Sequence, residues 1–315
     1  KQDDKFGVFE VGMDKKGEID NLTKIIKPDL GVITNISYAH SKNFKNINKI
    51  ASAKAEIIDN IQKGGFIILN MDDNFYNFHK KLALKKRLKV FTFGIDSKFP
   101  NVKLIKIKKI KNIFNLHINI DDLIVNFKSN NDNKSHLYNI LATIAAISCY
   151  VDVSKLKSDN FLNFKNLAGR GDITKITLKN KKFFLVDETY NSNPLSLKTA
   201  IENYDKIETK NSKKHLLLGD MLELGKHSMK QHQLISKIIN KTKIDRVYVT
   251  GRFVKETFKG LKSNKKAKIL KNKSGIIDLI NKNINNNDYL MIKGSNSTGL
   301  HKITNNLKQK IYYAV

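Results

Sequence analysis

The sequence predicts an α/β protein of two domains, in which a partial parallel sheet is followed by a doubly wound, Rossmann-like sheet. Short β-branched runs alternate with helical patterns, which is typical of strands joined by crossover helices. The 315 residues exceed the size at which a single core stops growing. A Lys-rich, weakly patterned stretch precedes Gly169-Arg170-Gly171. We place the boundary there, which gives domains at residues 1–168 and 169–315.

The first domain opens in the order of a parallel βαβ unit. Its first helix ends at Lys27-Pro28, because a residue before proline disfavours the helical conformation. The predicted elements are strand Phe6–Val11, helix Ile19–Ile26, strand Gly31–Asn35, helix Ile47–Ile61 and strand Phe66–Asn70. Later apolar runs predict an antiparallel extension and a helix: strands Val90–Phe93, Val102–Ile107, Ile113–Ile120 and Leu123–Phe127, then helix Leu137–Tyr150.

The second domain repeats the α/β alternation more regularly, with helical patterns between the later strands. In a doubly wound sheet, ligands bind beyond the carboxyl ends of the strands. Residues that directly follow a strand are therefore the best site candidates. The predicted strands are Ile173–Leu178, Phe183–Asp187, His215–Leu218, Arg246–Thr250, Lys268–Leu270 and Tyr289–Ile292.

The formal charge of +29 raises the possibility of nucleic-acid binding, because Lys and Arg neutralise phosphates. Only four of the 58 basic residues are Arg, and the lysines are spread among Asn and Ile, so we interpret them as solvated surface residues and expect no nucleic-acid partner. The single cysteine, Cys149, cannot form an internal disulfide. No apolar run is long enough to span a membrane, and the first residues lack a signal-peptide core. We expect a soluble, cytoplasmic protein.

Two polar side chains lie at or just past the carboxyl ends of neighbouring predicted strands. Glu10 ends the first strand, and His40 lies just past the second. Carboxylate and imidazole groups on adjacent strand ends suit Mg²⁺ or Mn²⁺. Lys54 lies on the next helix and, taken alone, would be an ordinary surface lysine.

These residues fall in an ordered series of motifs that resembles the central, ATPase-type domain of the Mur ligases. The series comprises Glu10-Val11-Gly12, the Pro-Asp-x-Gly-Val-Ile-Thr-Asn-Ile run at 28–36, Ala39-His40, Ala53-Lys54-Ala55-Glu56 and Asn70-Met71-Asp72-Asp73. The likeness continues in the second half with Gly169-Arg170-Gly171, the Asp-Glu-Thr-Tyr-Asn-Ser-Asn-Pro run at 187–194, the Gly-Asp-Met-Leu-Glu-Leu-Gly run at 219–225, and Lys293-Gly294-Ser295.

The resemblance implies an ATP-dependent amide ligase of peptidoglycan precursor synthesis. The Asp-Met-x-Glu-Leu-Gly and Tyr-Asn-x-Asn-Pro segments point to the member that joins D-alanyl-D-alanine to UDP-N-acetylmuramoyl-tripeptide through an acyl phosphate. ATP and Mg²⁺ are the implied cofactors, and we expect a monomer. Developing negative charge in both steps makes cations and positioning the main catalytic devices.

The resemblance also assigns roles to residues. Glu10 and His40 would hold Mg²⁺, together with Lys54 if carbon dioxide converts its amine to an N6-carboxylate. Lys54 and Arg170 are the implied catalytic residues, Arg170 reaching the ATP phosphates on domain closure. The implied nucleotide-binding residues are Asn70, His136, Asn139, Arg170, Asp187 or its neighbour Glu188, Asn191 and Asn193. The implied substrate-binding residues are Asp220, Glu223 and Lys293.

Simpler interpretations of these residues remain open. The segment at 187–194 has the composition of a strand end and helix cap, and Glu223 is a candidate helix cap. At 135–139 the sequence Ser-His-Leu-Tyr-Asn departs from the family's His-Asn pair near the adenine. The supplied chain contains no Gly-x-x-x-x-Gly-Lys-Ser/Thr loop, which in this family precedes the Glu-x-Gly strand, as does the UDP-sugar-binding domain. We therefore expect a central domain truncated at its start, and no ATP turnover by these residues alone.

Two other functions compete with this assignment. One is a Mur-type ligase that adds a glutamate or a diamino acid instead of the dipeptide. The other is a basic binding protein that keeps the fold without catalysis, for which the net charge is the strongest support.

Overall fold

The computed structural model describes residues 3–38, 41–164, 168–178 and 180–309. The chain divides into two compact units, Lys1–Ile36 with Asn43–Phe164, and Ser37–Lys42 with Lys165–Val315. Among the described residues, each unit contains one six-stranded sheet with a mostly parallel arrangement. The predicted α/β class is confirmed.

The first unit contains helices α1–α5 and strands β1–β6. The strands lie in the order in which they occur along the chain, parallel from β1 to β4 and antiparallel from β4 to β6, so the antiparallel extension is also observed. In chain order the elements are α1 Glu18–Ile26, β1 Leu30–Ile33, α2 Ile47–Lys54, α3 Glu56–Asn60, β2 Phe66–Asn70, α4 Tyr76–Lys85, β3 Lys89–Gly94, β4 Val102–Ile110, β5 Ile113–Ile120, β6 Leu123–Ser129 and α5 Lys134–Ser148.

Helices cover the two faces of this sheet unequally. Helices α2, α3 and α4 pack on one face of β1 and β2 through a core that includes Ile50, Ile58 and Leu69. Helix α5 packs on the opposite face, where Ile140 and Ile144 join buried residues of β2 through β6. This arrangement places a helix against only one side of the antiparallel strands in the described part of the unit.

The predicted strand Phe6–Val11 is wrong, since residues 6–13 have no regular secondary structure. The side chains of Phe6, Val8 and Phe9 are exposed, and β1 pairs with β2 on one side only within the described residues. An alternating apolar pattern becomes a strand only when a neighbouring strand satisfies its backbone groups. Glu10 is consequently exposed in an irregular segment, not at a strand end.

The single helix predicted over Ile47–Ile61 is two helices. Helix α2 ends at Lys54, and α3 begins at Glu56. The Glu56 carboxylate accepts hydrogen bonds from the backbone N–H groups of Gly17 (2.9 Å) and Asp20 (3.2 Å), so it satisfies the free amides at the start of α1. Helix α4 was missing from the sequence prediction because its Lys-rich sequence buries only His79 and Ala83.

The second unit contains β7–β12 and α6–α10. Its sheet has the order β11-β10-β9-β12-β8-β7, parallel except for the edge strand β7. The elements are β7 Asp172–Leu178, β8 Lys181–Glu188, α6 Pro194–Asp205, β9 Lys214–Leu218, α7 Ser228–Ile239, β10 Arg246–Val249, α8 Val254–Lys259, β11 Lys266–Ile269, α9 Lys273–Asn283, β12 Tyr289–Lys293 and α10 Leu300–Lys308.

Both faces of the second sheet are covered, as a doubly wound fold requires. Leu216 and Leu218 face a core with α6, α7 and α8, whereas Leu217 between them faces a core with α9 and α10. Central strands buried on both sides appear in sequence as continuous apolar runs, which is why the strand positions in this unit agree with prediction to within two residues.

Candidate functional site

Asn70 ends strand β2 and connects it to the end of β1. Its side-chain amide donates to the carbonyl oxygen of Thr34 (3.0 Å), and its side-chain oxygen accepts from the backbone N–H of Asp72 (2.9 Å). These two hydrogen bonds therefore connect the carboxyl ends of β1 and β2 and the loop that follows β2. This is where ligands bind in open parallel sheets.

Lys54 lies at the same edge, at the last residue of α2. Its Nζ donates to the carbonyl oxygen of Asn35 (3.1 Å). Burial lowers the pKa of the Lys54 ammonium, and the nearby Asp73 carboxylate only partly opposes that shift. Asp73 itself accepts from the backbone N–H groups of Ile36 and Phe75, each at 2.8 Å. The site thus holds a half-buried amine whose neutral form is favoured by its surroundings.

Asp72 anchors the loop that follows β3. Its carboxylate accepts from the backbone N–H groups of Ile95 (2.6 Å) and Ser97 (2.7 Å) and from the hydroxyl of Tyr138 (2.8 Å). Burial alone would raise the Asp72 pKa, but these hydrogen bonds outweigh it and lower the value. Asp72 and Asp73 therefore perform two structural tasks within one unit.

The predicted metal ligands are not brought together in the part of the chain that is described. Glu10 is exposed, and His40 lies outside the described residues. Among residues 3–38, 41–164, 168–178 and 180–309, no group of three or more His, Cys, Asp or Glu side chains is arranged to hold a metal ion. Lys54 contributes an amine, which is not a ligand for Mg²⁺ unless it is modified.

The two predicted nucleotide-base residues on α5 differ in exposure. His136 is buried, and its Nε2 lies 3.1 Å from the Ser129 hydroxyl. Burial lowers the His136 pKa, so the neutral ring belongs to the interior of the unit. Asn139 is exposed, and its backbone carbonyl accepts from the Thr143 hydroxyl. Asn139 is accessible to a ligand, whereas His136 is not.

A buried ion pair lies at the carboxyl ends of β8 and β12 in the second unit. The Lys293 side chain is 2% exposed, and its Nζ donates to Glu188 Oε2 (3.2 Å) and to the carbonyl oxygen of Asn191 (3.0 Å). Burial lowers the Lys293 pKa and raises the Glu188 pKa, with each partner opposing the shift in the other. The motif residues Glu188 and Lys293, which are far apart in sequence, thus form one charged site.

The neighbouring residue Asp187 binds a lysine that the sequence did not single out. Lys308 on α10 donates to Asp187 (2.6 Å) and to Asp172. Burial would raise the Asp187 pKa, but the hydrogen bonds from Lys308 and from the Thr189 hydroxyl (2.6 Å) lower it. The negative charge of Asp187 is consequently neutralised by Lys308 within the same unit. The feature of the sequence that indicates packing of α10 on the sheet is its amphipathic pattern, which does not by itself identify Lys308.

The Gly-Arg-Gly segment makes a tight contact with the end of β8. Gly169 has φ +76°, and a Cβ at this position would lie 2.9 Å from the backbone nitrogen of Tyr190. Tyr190 N donates to the Gly169 carbonyl oxygen (3.1 Å). The Arg170 guanidinium stacks on the Tyr190 ring, with its central carbon 4.3 Å from the ring centroid. Arg170 is exposed, so its charge remains available to an anion.

The two asparagines of the 187–194 segment have different surroundings. Asn193 is the N-cap of α6, where its side-chain oxygen accepts from Ser196 N (2.9 Å) and Ser196 Oγ accepts from Asn193 N (3.0 Å), a complete capping box. Asn193 is therefore a helix cap, as the simpler interpretation of the 187–194 segment predicts. Asn191 is exposed, and its carbonyl oxygen receives the Lys293 ammonium.

Asp220 and Glu223 follow β9. Asp220 is 7% exposed, and its two oxygens accept from the backbone N–H groups of Arg252 (2.9 Å) and Val254 (2.7 Å) at the start of α8. Glu223 is exposed with φ +64°, and its carbonyl oxygen accepts from Lys42 N (2.7 Å). Glu223 is not the N-cap of α7, a position that His227 occupies.

The comparisons with known proteins agree with the fold and the motif positions. The family model described as the Mur ligase middle domain matches residues 1–147, and the model described as the Mur ligase, glutamate ligase domain matches residues 174–296. The two models match successive parts of the chain, one largely in each unit. The chain belongs to the Mur ligase family.

The curated relatives give a more specific similarity. The chain is 29% identical over 304 residues to the UDP-N-acetylmuramoyl-tripeptide–D-alanyl-D-alanine ligase of Rickettsia prowazekii, covering 96% of this chain and 66% of that protein. It is 30% identical over 322 residues to the ligase of the same name from Buchnera aphidicola subsp. Acyrthosiphon pisum, covering 98% and 66%. The chain therefore spans about two thirds of the length of the curated relatives it matches.

Solved structures show the same fold. A crystal structure of MurF from Acinetobacter baumannii matches with a TM-score of 0.81 at 22% identity, covering 95% of this chain and 63% of that chain. MurF from Thermotoga maritima in complex with ADP matches with a TM-score of 0.77 at 22% identity, covering 93% and 65%. Separately, no helix in the described part of the chain is long and apolar enough to cross a membrane.

Proposed function

We propose that this protein is an ATP-dependent amide ligase that adds D-alanyl-D-alanine to UDP-N-acetylmuramoyl-tripeptide. The observation that carries the proposal is the similarity, over 96% of the chain, to a Rickettsia prowazekii protein of that name. Polar residues at the carboxyl ends of both sheets support it, because this edge is where α/β enzymes bind substrates. The Thermotoga maritima neighbour, solved with ADP, supports nucleotide binding.

ATP would supply the phosphoryl group that activates the peptide carboxylate, and the protein would supply cations and positioning. In this proposal Arg170 binds phosphate oxygens, since its charge is permanent and its ring contact with Tyr190 orients the guanidinium plane. Lys293 provides a second positive charge whose position is held by Glu188 and by the Asn191 carbonyl. A positive group placed in advance stabilises developing negative charge without reorganisation.

We further propose that the Lys54 amine is N6-carboxylated. Burial lowers the pKa of Lys54, which increases the fraction of free amine that can react with carbon dioxide. The nitrogen lone pair attacks the carbon of carbon dioxide, an N–C bond forms as one C–O π bond breaks and leaves its electron pair on oxygen, and one amine proton leaves to water. The product is an anionic oxygen group at the end of the sheet. The described residues do not fit an Mg²⁺ site by themselves, so we assign no step to that ion.

Carboxylation has a readout that does not depend on activity. Protein equilibrated with ¹³C-bicarbonate is expected to give a carbamate carbon signal in NMR spectra that Lys54→Gln removes. Lys49→Gln is the matched control, because Lys49 lies on the same helix with an exposed side chain. Retention of the signal in Lys54→Gln would assign it to another lysine and refute the proposal for Lys54.

The ligase proposal is tested with the whole polypeptide encoded by the reading frame that contains this sequence. We expect ADP release that depends on both the muramoyl-tripeptide and D-alanyl-D-alanine, with the pentapeptide product identified by mass spectrometry. Glutamate and a diamino acid serve as competing amines, and glutamate is included because the second family model is described as a glutamate ligase domain. Product with either of them and none with the dipeptide would replace this substrate assignment.

The non-catalytic alternative makes a different prediction for variants. Arg170→Lys keeps the charge but loses the planar fork, and we expect at least a tenfold fall in kcat for ligation. Arg252→Lys on an exposed residue of the same unit is the matched control. Absence of any ligation by the wild-type polypeptide, with salt-sensitive binding to nucleic acid, would favour the basic binding protein instead.

A further inference from the structure

The three antiparallel strands β4, β5 and β6 have one buried face and one face that points away from the core. Leu116, Ile118 and Phe127 point inward and join the core formed with α5. Helices α2–α4 pack against the β1 and β2 end of the sheet. In the described part of this unit, the outward face of β4–β6 therefore has no helix packed against it.

The strand register places four lysines on this outward face. Lys103 lies opposite Asn119, Lys106 opposite His117, and Lys108 opposite Asn115 on β5. On the other side of β5, Lys128 of β6 also lies opposite Asn115. We call the surface formed by Lys103, Lys106, Lys108 and Lys128 the basic face.

Negative charge is absent from these strands in the sequence. The residues of β4, β5 and β6 include no Asp or Glu, although the whole chain has one acidic residue for every two basic ones. The nearest carboxylates in sequence, Asp121 and Asp122, lie in the turn between β5 and β6, where Asp121 accepts from the Asn101 side chain (2.8 Å). Within the three strands the basic face therefore carries side-chain charge of positive sign only.

An apolar pair, one residue exposed and the other half-buried, lies at the opposite end. Ile110 ends β4 with 59% of its surface exposed and is paired with Ile113 at the start of β5. The two-residue turn between them begins with Lys111 at φ +54°. Lys109 and Lys111 flank Ile110 in sequence and are exposed. Apolar side chains surrounded by lysines are typical of segments that insert into the interfacial layer of a membrane.

We propose that the basic face docks on an anionic phospholipid bilayer, with Ile110 and Ile113 entering the interfacial layer. The residues of β4–β6 on this face include no Phe, Tyr, Trp or Arg, and His117 supplies the ring that is present, so the face lacks the extended stacking surfaces and planar forks that nucleic-acid binders use. Lysines near an anionic leaflet each strengthen binding by about fivefold. The proposal is independent of the ligase assignment, because it uses none of the residues given catalytic or binding roles above.

The test is co-sedimentation of the 315-residue chain with vesicles of phosphatidylglycerol and phosphatidylcholine. We expect binding at low salt that weakens at high salt, and no binding to pure phosphatidylcholine. The variant K103Q/K106Q/K108Q/K128Q is expected to bind about 600-fold more weakly, because about fivefold is lost for each lysine. The matched control is K230Q/K237Q/K241Q/K268Q, which removes the same charge from exposed positions of the second unit and is expected to bind like wild type.

Three results would overturn the proposal. One is an equal loss of vesicle binding in both quadruple variants, which would make the net charge responsible. Another is equal binding to neutral and anionic vesicles. The third is binding to labelled duplex DNA or single-stranded RNA that the basic-face variant loses while its vesicle binding is unchanged. Ile110→Ser is expected to weaken vesicle binding without changing its salt dependence; a changed salt dependence would contradict insertion of the pair. Unchanged melting temperatures establish that all variants fold.

Discussion

Replacing Lys293 with Met is expected to destabilise the second unit in a pH-dependent way. The variant leaves the Glu188 carboxylate buried beside the sheet without its ammonium partner, which is 3.2 Å away in the wild type. Burial already raises the Glu188 pKa above its usual 4.5, and loss of Lys293 raises it further. A group with a raised pKa in the folded state contributes stability below its unfolded pKa and loses that contribution as the pH rises through the folded value.

The expected size follows from the free energy of keeping Glu188 protonated. Each pH unit above 4.5 adds about 1.4 kcal/mol. The penalty is below about 1 kcal/mol near pH 5 and reaches at most about 5 kcal/mol near pH 8. Removing one partner of a buried ion pair typically costs about 3–5 kcal/mol, which agrees with the upper end of this range.

Urea unfolding followed by far-UV circular dichroism, with a separate transition fitted for each unit, measures the effect. Lys265→Met is the matched control, because the Lys265 ammonium is buried against the carbonyl oxygens of Thr242 and Ile244, each at 2.7 Å. The Lys265→Met variant is expected to lose a similar free energy of unfolding near pH 5 and near pH 8. In K293M/E188Q the pH dependence should disappear. A loss of stability in Lys293→Met that is the same near pH 5 and pH 8 would refute the assigned partner.

Three further substitutions test other contacts by urea unfolding. Asp72→Asn removes an acceptor for backbone amides and a tyrosine hydroxyl and should lower the free energy of unfolding by about 2–3 kcal/mol. Because the pKa of Asp72 is lowered in the folded protein, this loss should shrink as the pH falls from 3.8 through the lowered value. A loss that stays constant with pH would contradict this assignment. Gly169→Ala should cost more than Gly64→Ala, since both have positive φ but only Gly169 has a close neighbour; equal effects would exclude the steric contact. Asn193→Ala should cost about 1 kcal/mol and Asn193→Ser much less; equal losses would argue against capping.

The sheet of the second unit was predictable because its central strands are buried on both sides. The run Leu216-Leu217-Leu218 is apolar without alternation, a composition typical of a strand covered by helices on both faces. The segment Phe6–Val11 has an equally apolar pattern but lacks a paired neighbour in the described residues. A local pattern specifies which faces are apolar, whereas a strand also needs a second segment whose position the sequence does not give.

The sequence identified individual residues of the site, but not which of those residues contact each other. Motif positions selected Glu188 and Lys293 separately, but their ion pair joins residues 105 apart in sequence. Lys308 could not be distinguished from other lysines until the structure placed it against Asp187. Asp220 shows the opposite case, since its motif suggested substrate contact and its oxygens hold the start of α8. Spacing identifies candidate groups, but only three-dimensional partners show which polar atoms remain available.

In a chain so rich in lysine, the hydrogen-bond partners of each lysine indicate which lysines are suited to a function. Lys54, Lys265 and Lys293 all have pKa values lowered by burial, yet their hydrogen-bond partners differ. Lys293 donates to a carboxylate, which favours the charged form, whereas Lys265 fills a structural position between two carbonyl oxygens. Lys54 donates to one carbonyl oxygen at a strand end and feels Asp73 only through space. The chemistry open to each lysine therefore follows from its partners: Lys293 suits electrostatic stabilisation, and Lys54 suits reaction as a free amine.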